Sequence, residues 1–203
     1  MSKPATPEKG NTMKTLWHHS APRTTLILIL TAAALLAAAG CSNGGDNPPA
    51  PPTAPADIGL QEVQVRAPDF TLPTLGGGEV VLSDLQGQIV LLNFWQLNCP
   101  PCKEEMPLLD AVGKAYAGTA HVVALDIGDG ESDVQEYFGD ATLNMFVPLD
   151  GDGRVAAEYS IGFTPTTFLI DSEGIVRFVK VGPFASYTEL AAAIEFTRLK
   201  ESA

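Results

Sequence analysis

Read only for hydrophobic and polar positions, the chain falls into three parts. Residues 24–39, T-T-L-I-L-I-L-T-A-A-A-L-L-A-A-A, are uncharged and mostly apolar. Residues 43–55, N-G-G-D-N-P-P-A-P-P-T-A-P, are rich in Pro and small polar residues and cannot bury a core. From Leu60 onward, apolar runs of strand length alternate with stretches of helical period. Ile89 to Trp95 reads as a buried central strand and His121 to Ile127 as a second. Thr166 to Ile170 and Ile175 to Val181, separated by Glu173-Gly174, read as an antiparallel pair. An earlier hairpin is expected, with a short extended piece ending at Phe70-Thr71-Leu72, a turn at Gly76-Gly77-Gly78 and a partner strand from Glu79 to Leu82.

Helical period appears from Pro100 to about Tyr116, where Met106, Leu109, Val112 and Tyr116 share one face. Pro107 is expected to kink this helix, and Gly113 weakens its last turn. Shorter helices are predicted from Ser132, taken as a capped start, to Phe138 and from Val155 to Tyr159, with a closing helix from Tyr187 to Leu199. Phe146 to Leu149 is a short extended segment. The order β-β-β-α-β-α-β-β-α predicts an α/β fold, a mixed sheet with helices on both faces and an N-terminal hairpin.

Chemistry concentrates where the central strand meets the long helix, at Cys99-Pro100-Pro101-Cys102. Proline suits a first helical turn, where its missing N–H costs nothing. The helix N-terminus brings free N–H groups and partial positive charge beside Cys99, which favours a thiolate. Cys102, one turn further in, is expected to be less exposed. Cys99 is therefore the expected attacking sulfur and Cys102 the resolving one. Structural zinc needs four ligands; the third cysteine, Cys41, lies in a different kind of segment, and the folded part offers only these two cysteines and His121. A purely structural disulfide closing so small a loop would stabilise little. Asp150-Gly151-Asp152-Gly153 starts like a calcium loop, but the ligand pattern does not continue. No cofactor or metal is expected.

The first 23 residues carry Lys3, Lys9, Lys14 and Arg23 against Glu8, and the apolar stretch that follows ends at Gly40-Cys41-Ser42. This is the pattern of an export signal, and about 16 apolar residues is short for a spanning helix. Met13 would give a leader of more usual length. A-A-G-C resembles the lipobox of bacterial lipoproteins, with Ala38 where that family prefers Leu. The resemblance implies a leader over 1–40, a lipidated Cys41, a Pro-rich tether over 41–59 and a folded domain over 60–203. After Cys41, 8 Lys and Arg face 23 Asp and Glu, a net charge of −15. That excess argues against nucleic acid and against docking of the domain itself on anionic lipid.

Further motifs complete the picture: A-P-D-F-T-L at 67–72, L-S-D-L-Q-G at 82–87, N-F-W at 93–95, C-P-P-C-K-E-E-M-P at 99–107 and T-P-T-T-F-L-I-D at 164–171. Together they resemble the thioredoxin superfamily, more closely its membrane-anchored thiol–disulfide reductases of the TlpA/ResA type. The resemblance implies a thioredoxin-like fold with Pro165 as a cis-proline facing the cysteine pair. It implies that Glu105 is an acidic proton carrier, and that Trp95, Thr164 and Pro165 belong to the substrate-binding surface. The implied activity is extracytoplasmic reduction of protein disulfides, including apocytochrome c cysteines, by a monomer supplied with electrons from a membrane donor. Two departures stand out: Asn93 occupies the place of thioredoxin's buried Asp, and Asn98 that of a common Trp. A thiol peroxidase of the same superfamily would need Thr three residues before Cys99, where Gln96 stands, and Pro where Leu92 stands. A metal-binding or partner-binding lipoprotein is the non-enzymatic alternative. The copper proteins of this superfamily use C-x-x-x-C spacing, which is absent here. Oxidant and reductant remain alternatives, because potentials on this fold run from about −270 to −120 mV.

Overall fold

The computed structural model describes residues 51–202; the expected leader, Cys41 and most of the expected tether lie outside them. Its strands are β1 (Gln61–Arg66), β2 (Thr71–Pro73), β3 (Glu79–Val81), β4 (Ile89–Trp95), β5 (Ala120–Ile127), β6 (Leu149–Asp150), β7 (Thr166–Ile170) and β8 (Ile175–Val181). Its helices are α1 (Pro100–Ala115), α2 (Glu131–Phe138), α3 (Arg154–Glu158) and α4 (Tyr187–Glu201). Among the described residues no helix is long and apolar enough to cross a membrane.

All residues of β4 are buried, which is why its sequence is apolar without alternation. It lies inside a six-stranded sheet of order β1-β8-β7-β4-β5-β6. β4 and β5 run parallel, so α1 must cross over between them, while β7 pairs with β4 in the antiparallel sense. The side chains of β4 feed two cores. Ile89, Leu91 and Trp95 pack with Leu109 of α1, Val134 of α2 and Leu190 of α4. Val90, Leu92 and Phe94 pack on the other face with Val155, Tyr159 and the hairpin residues Leu72 and Val80. Helices thus cover both faces, as expected, and β2 and β3 form the separate N-terminal hairpin.

Three expectations needed correction or explanation. β1 was not anticipated: Gln61–Arg66 carries only two apolar residues, Val63 half-buried and Val65 59% exposed. An edge strand with most of its side chains exposed shows no apolar stripe; its backbone pairing with β8 defines it. α2 starts after Gly130, not at a Ser132 cap. α1 continues through Pro107. Proline cannot donate to the carbonyl four residues back, and that oxygen, on Lys103, lies 3.5 Å from the hydroxyl of Tyr137, which donates to it.

Gly113 is required by packing. A Cβ there would sit 2.0 Å from the carbonyl oxygen of Asn144. The same loop is tied to α1 by Asp110, whose Oδ1 accepts from the Asn144 backbone N–H at 2.6 Å. Packing also reaches back before Leu60. Ile58 and Leu60 are buried in the α1–α4 core, and Lys180 of β8 donates to the Ile58 carbonyl at 2.6 Å.

Candidate functional site

The end of β4, the first turn of α1 and the loop before β7 converge on the cysteine pair. Cys99 caps α1 and accepts a bond from Cys102 N–H at Sγ, 3.3 Å away. The two cysteines form a disulfide with Cα atoms 5.3 Å apart. Cys99 retains 7% exposure and Cys102 none. The amide on Sγ and the helix terminus favour negative charge on Cys99 once the bond is reduced. The Thr164–Pro165 bond is cis, and the Thr164 carbonyl oxygen lies 3.5 Å from Cys99 Sγ. Gly182 N–H donates to the Pro165 carbonyl at 2.8 Å, fixing this loop to the end of β8.

Glu105 comes one turn after Cys102 and is 1% exposed. Its Oε1 accepts from Phe184 N–H at 2.9 Å and its Oε2 from Asn93 Nδ2 at 3.3 Å. Burial pushes its pKa up to about 7, against the opposing pull of those two donors and of Lys180. A carboxyl with this pKa gains and loses a proton near neutrality.

Trp95 is not at the surface. Its indole is fully buried, donates to the Ala124 carbonyl at 3.1 Å and stacks against Tyr137 and Phe138. The structure therefore brings Cys99, Cys102, Thr164, Pro165 and Glu105 together and places Trp95 behind the loop that carries Cys99. Gln96 Nε2 donates to the Ile127 carbonyl at 3.1 Å.

Two features escaped the sequence reading. Phe163, 62% exposed, and Val181, 55% exposed, adjoin the cis-proline loop, and Val181 pairs with Thr166 across β7 and β8. The sequence reading assigned neither a role. The second is a carboxyl cluster. Asp126, 0% exposed, ends β5; its Oδ1 accepts from Asp129 N–H at 3.1 Å, and Asp129 Oδ2 accepts from Leu97 N–H at 2.6 Å. Burial first, then the neighbouring carboxyl of Asp129, raise the Asp126 pKa to about 7. Asp126 was read only as part of the strand His121–Ile127 and Asp129 as part of the loop Gly128-Asp129-Gly130, so no local signal marked the pair.

A buried sulfur and a nearly buried partner, opposite a cis-proline on a mixed sheet, define a thioredoxin-like thiol–disulfide oxidoreductase. Residues 63–179 match the AhpC/TSA family, and the chain belongs to it. The thioredoxin-like protein YneN of Bacillus subtilis is 37% identical over 129 residues, covering 62% of this chain and 75% of its own length. The thiol-disulfide oxidoreductase ResA of Bacillus cereus is 34% identical over 122 residues, 60% of this chain and 70% of its own. A solved structure of a secreted Mycobacterium tuberculosis disulfide oxidoreductase, homologous to E. coli DsbE, superposes with a TM-score of 0.56 at 27% identity. It covers 63% of this chain and 95% of its own.

Proposed function

We propose that this oxidoreductase acts outside the cytoplasm as a reductant of protein disulfides, with Cys99 as nucleophile and Cys102 as resolving thiol. The observation that carries the reading is Cys99 Sγ, the partly open sulfur, lying 3.5 Å from the Thr164 carbonyl beside the cis-proline. A substrate polypeptide lies along that loop as an added strand, its neighbouring side chain against Phe163. The Cys99 thiolate attacks one sulfur of the substrate disulfide; the electron pair of the broken bond leaves on the other sulfur, which takes a proton. Cys102 then loses its proton to the Glu105 carboxylate and attacks Cys99 Sγ. The Cys99–Cys102 bond forms, and the second substrate sulfur leaves reduced. The dithiol has been oxidised by two electrons and requires a donor, which we place in the membrane. Disulfides preceding haem attachment to cytochrome c are the substrates that the ResA resemblance favours.

The address follows from the sequence. A leader over 1–40, lipidation of Cys41 and the Pro-rich tether would hold the domain off an outer membrane face. The mycobacterial relative is itself secreted, which supports export. Incorporation of labelled palmitate, lost in Cys41→Ala, tests the anchor.

The test of direction is the reduction potential of Cys99–Cys102, read by thiol counting in graded dithiol buffers. A midpoint below about −220 mV supports a reductant, and one near about −120 to −180 mV makes the protein an oxidant or isomerase. Cys102→Ser should trap mixed disulfides with substrate, and their absence removes the resolving role from Cys102. Peroxide consumption by the dithiol would instead favour the peroxidase chemistry.

A further inference from the structure

One buried polar side chain near the site is only half used. Asn93 sits within β4, fully buried, on the face covered by α1. Its Nδ2 donates to Thr167 Oγ1 at 2.9 Å and to Glu105 Oε2 at 3.3 Å. Its Oδ1 is buried without a hydrogen-bond partner. An orphaned acceptor in a core is costly, and an aliphatic side chain at this position of an otherwise apolar strand would avoid it.

Glu105 supplies a reason for keeping the amide. As a carboxylate it accepts from Phe184 N–H at Oε1 and from Asn93 at Oε2. As a carboxylic acid it carries its proton on Oε2, because Oε1 faces a backbone donor, and that proton needs an acceptor. The amide provides one by turning over. Oδ1 then takes the place of Nδ2 and receives the Glu105 O–H. The Thr167 hydroxyl, which both donates and accepts, turns to donate to the same oxygen. Two hydrogen bonds are kept in either arrangement.

We infer that Asn93 is a two-way positioning residue for Glu105, its amide turning over as the buried carboxyl gains or loses its proton. Neither alternative does both. A carboxylate at this position would repel the Glu105 anion, and a Leu would bond neither form. The other groups set against Glu105 are the Phe184 N–H and, by its charge, Lys180 of β8; in the oxidised protein Cys102, one turn earlier on α1, is held in the disulfide and has no proton to exchange. None of them exchanges a donor for an acceptor. The pKa near 7 puts both forms within reach at neutral pH.

The catalytic meaning of this exchange rests on Glu105 carrying the Cys102 proton, but the exchange itself does not. It is tested on the full-length oxidised protein by nuclear magnetic resonance. The Glu105 side-chain carbon and the Asn93 side-chain amide are followed from well below to well above the Glu105 midpoint. The expected result is one shared midpoint, with the contact between the Asn93 NH2 protons and Thr167 present above it and lost below it. In Glu105→Gln the Asn93 signals should no longer depend on pH across that range. A contact to Thr167 that persists at low pH overturns the inference, as does an Asn93 titration that survives in Glu105→Gln. If the exchange is observed and Glu105→Gln still resolves mixed disulfides at the wild-type rate, the proton-carrier reading of Glu105 fails and the exchange stands.

Discussion

Glu105 and Asp126 are two buried carboxyl groups on opposite sides of β4. Glu105 faces β7 and the loop after β8; Asp126 ends β5 beside the segment leading to Cys99. Burial lifts both to about 7. Their neighbours then act in opposite senses. Around Glu105, the Phe184 N–H, the Asn93 amide and the charge of Lys180 favour the anion. Around Asp126, the carboxyl of Asp129 and the charge of Asp150 disfavour it, and one backbone N–H opposes them. Equal pKa values therefore describe different devices. Glu105 can lose its proton into a setting built for its anion, which suits proton transfer. Asp126 lies beside a second carboxyl, and losing its proton adds a buried negative charge next to it. That suits a latch on the Cys99 loop, one that weakens as pH rises.

The largest effect expected from this contrast is kinetic. Glu105→Gln removes the proton acceptor for Cys102, and general-base contributions run at about 10²–10⁴-fold. Release of reduced substrate from the mixed disulfide should slow by roughly a hundredfold or more near neutral pH, measured by rapid acid quench. Asp126→Asn should stay within a few-fold of wild type in the same assay. Equal losses in the two variants would erase the distinction.

Next in size is stability against pH. The folded-state pKa of Glu105 lies above its ordinary value of 4.5, at about 7. The folded state therefore binds the proton more tightly than the unfolded chain. Relative to low pH, stability falls as pH rises from about 4.5 and levels off above about 7. Over that window the loss amounts to about 3 kcal/mol. Glu105→Gln should match wild type least well at high pH, where it gains that amount, and show no gain at pH 4. Urea unfolding across the range provides the check.

What the sequence made legible follows the same division. The spacing of Cys99 and Cys102 carries its own chemistry, the family resemblance pointed to Glu105 and Pro165, and α1 displays its apolar face plainly. The environment of Asp126 was hidden. The 96–97 segment folds over the end of its strand, Gln96 bonding to Ile127 and Leu97 to Asp129, contacts between segments some thirty residues apart. β1 was hidden for a related reason, since pairing with β8 rather than burial makes it a strand. For Trp95 the sequence left a place at the substrate-binding surface and a place in the core as equal alternatives. The alternation of β4 directs it into the α1–α2 core, behind the site.

A smaller effect is expected at Asp129. Its Oδ2 holds the Leu97 N–H at 2.6 Å, two residues before Cys99. Asp129→Ala leaves that amide without its acceptor and Asp126 without its carboxyl neighbour. Loss of such a bond costs about 1–3 kcal/mol. Hydrogen exchange at the Leu97 amide should quicken, while the packing of Trp95 stays as it is.

The smallest change, Asp126→Asn, tests whether the pair is a pH-dependent latch. The pKa of Asp126 is raised from 3.8 to about 7, so the stability it confers is complete at low pH and is lost as pH rises through 7. In wild type, ionisation of Asp126 puts a negative charge beside the Asp129 carboxyl and strains its hold on Leu97. An Asn at 126 carries no charge, and its amide can donate to Asp129 at any pH. The variant should therefore differ little from wild type at pH 4, by less than about 1 kcal/mol. Above pH 7 the wild-type Leu97 amide should exchange faster than base catalysis alone explains, and in Asp126→Asn that excess should vanish. If the excess persists, Asp129 holds the Cys99 loop without help from its buried neighbour. The two carboxyls beside the disulfide would then differ in surroundings but not in how they respond to a proton.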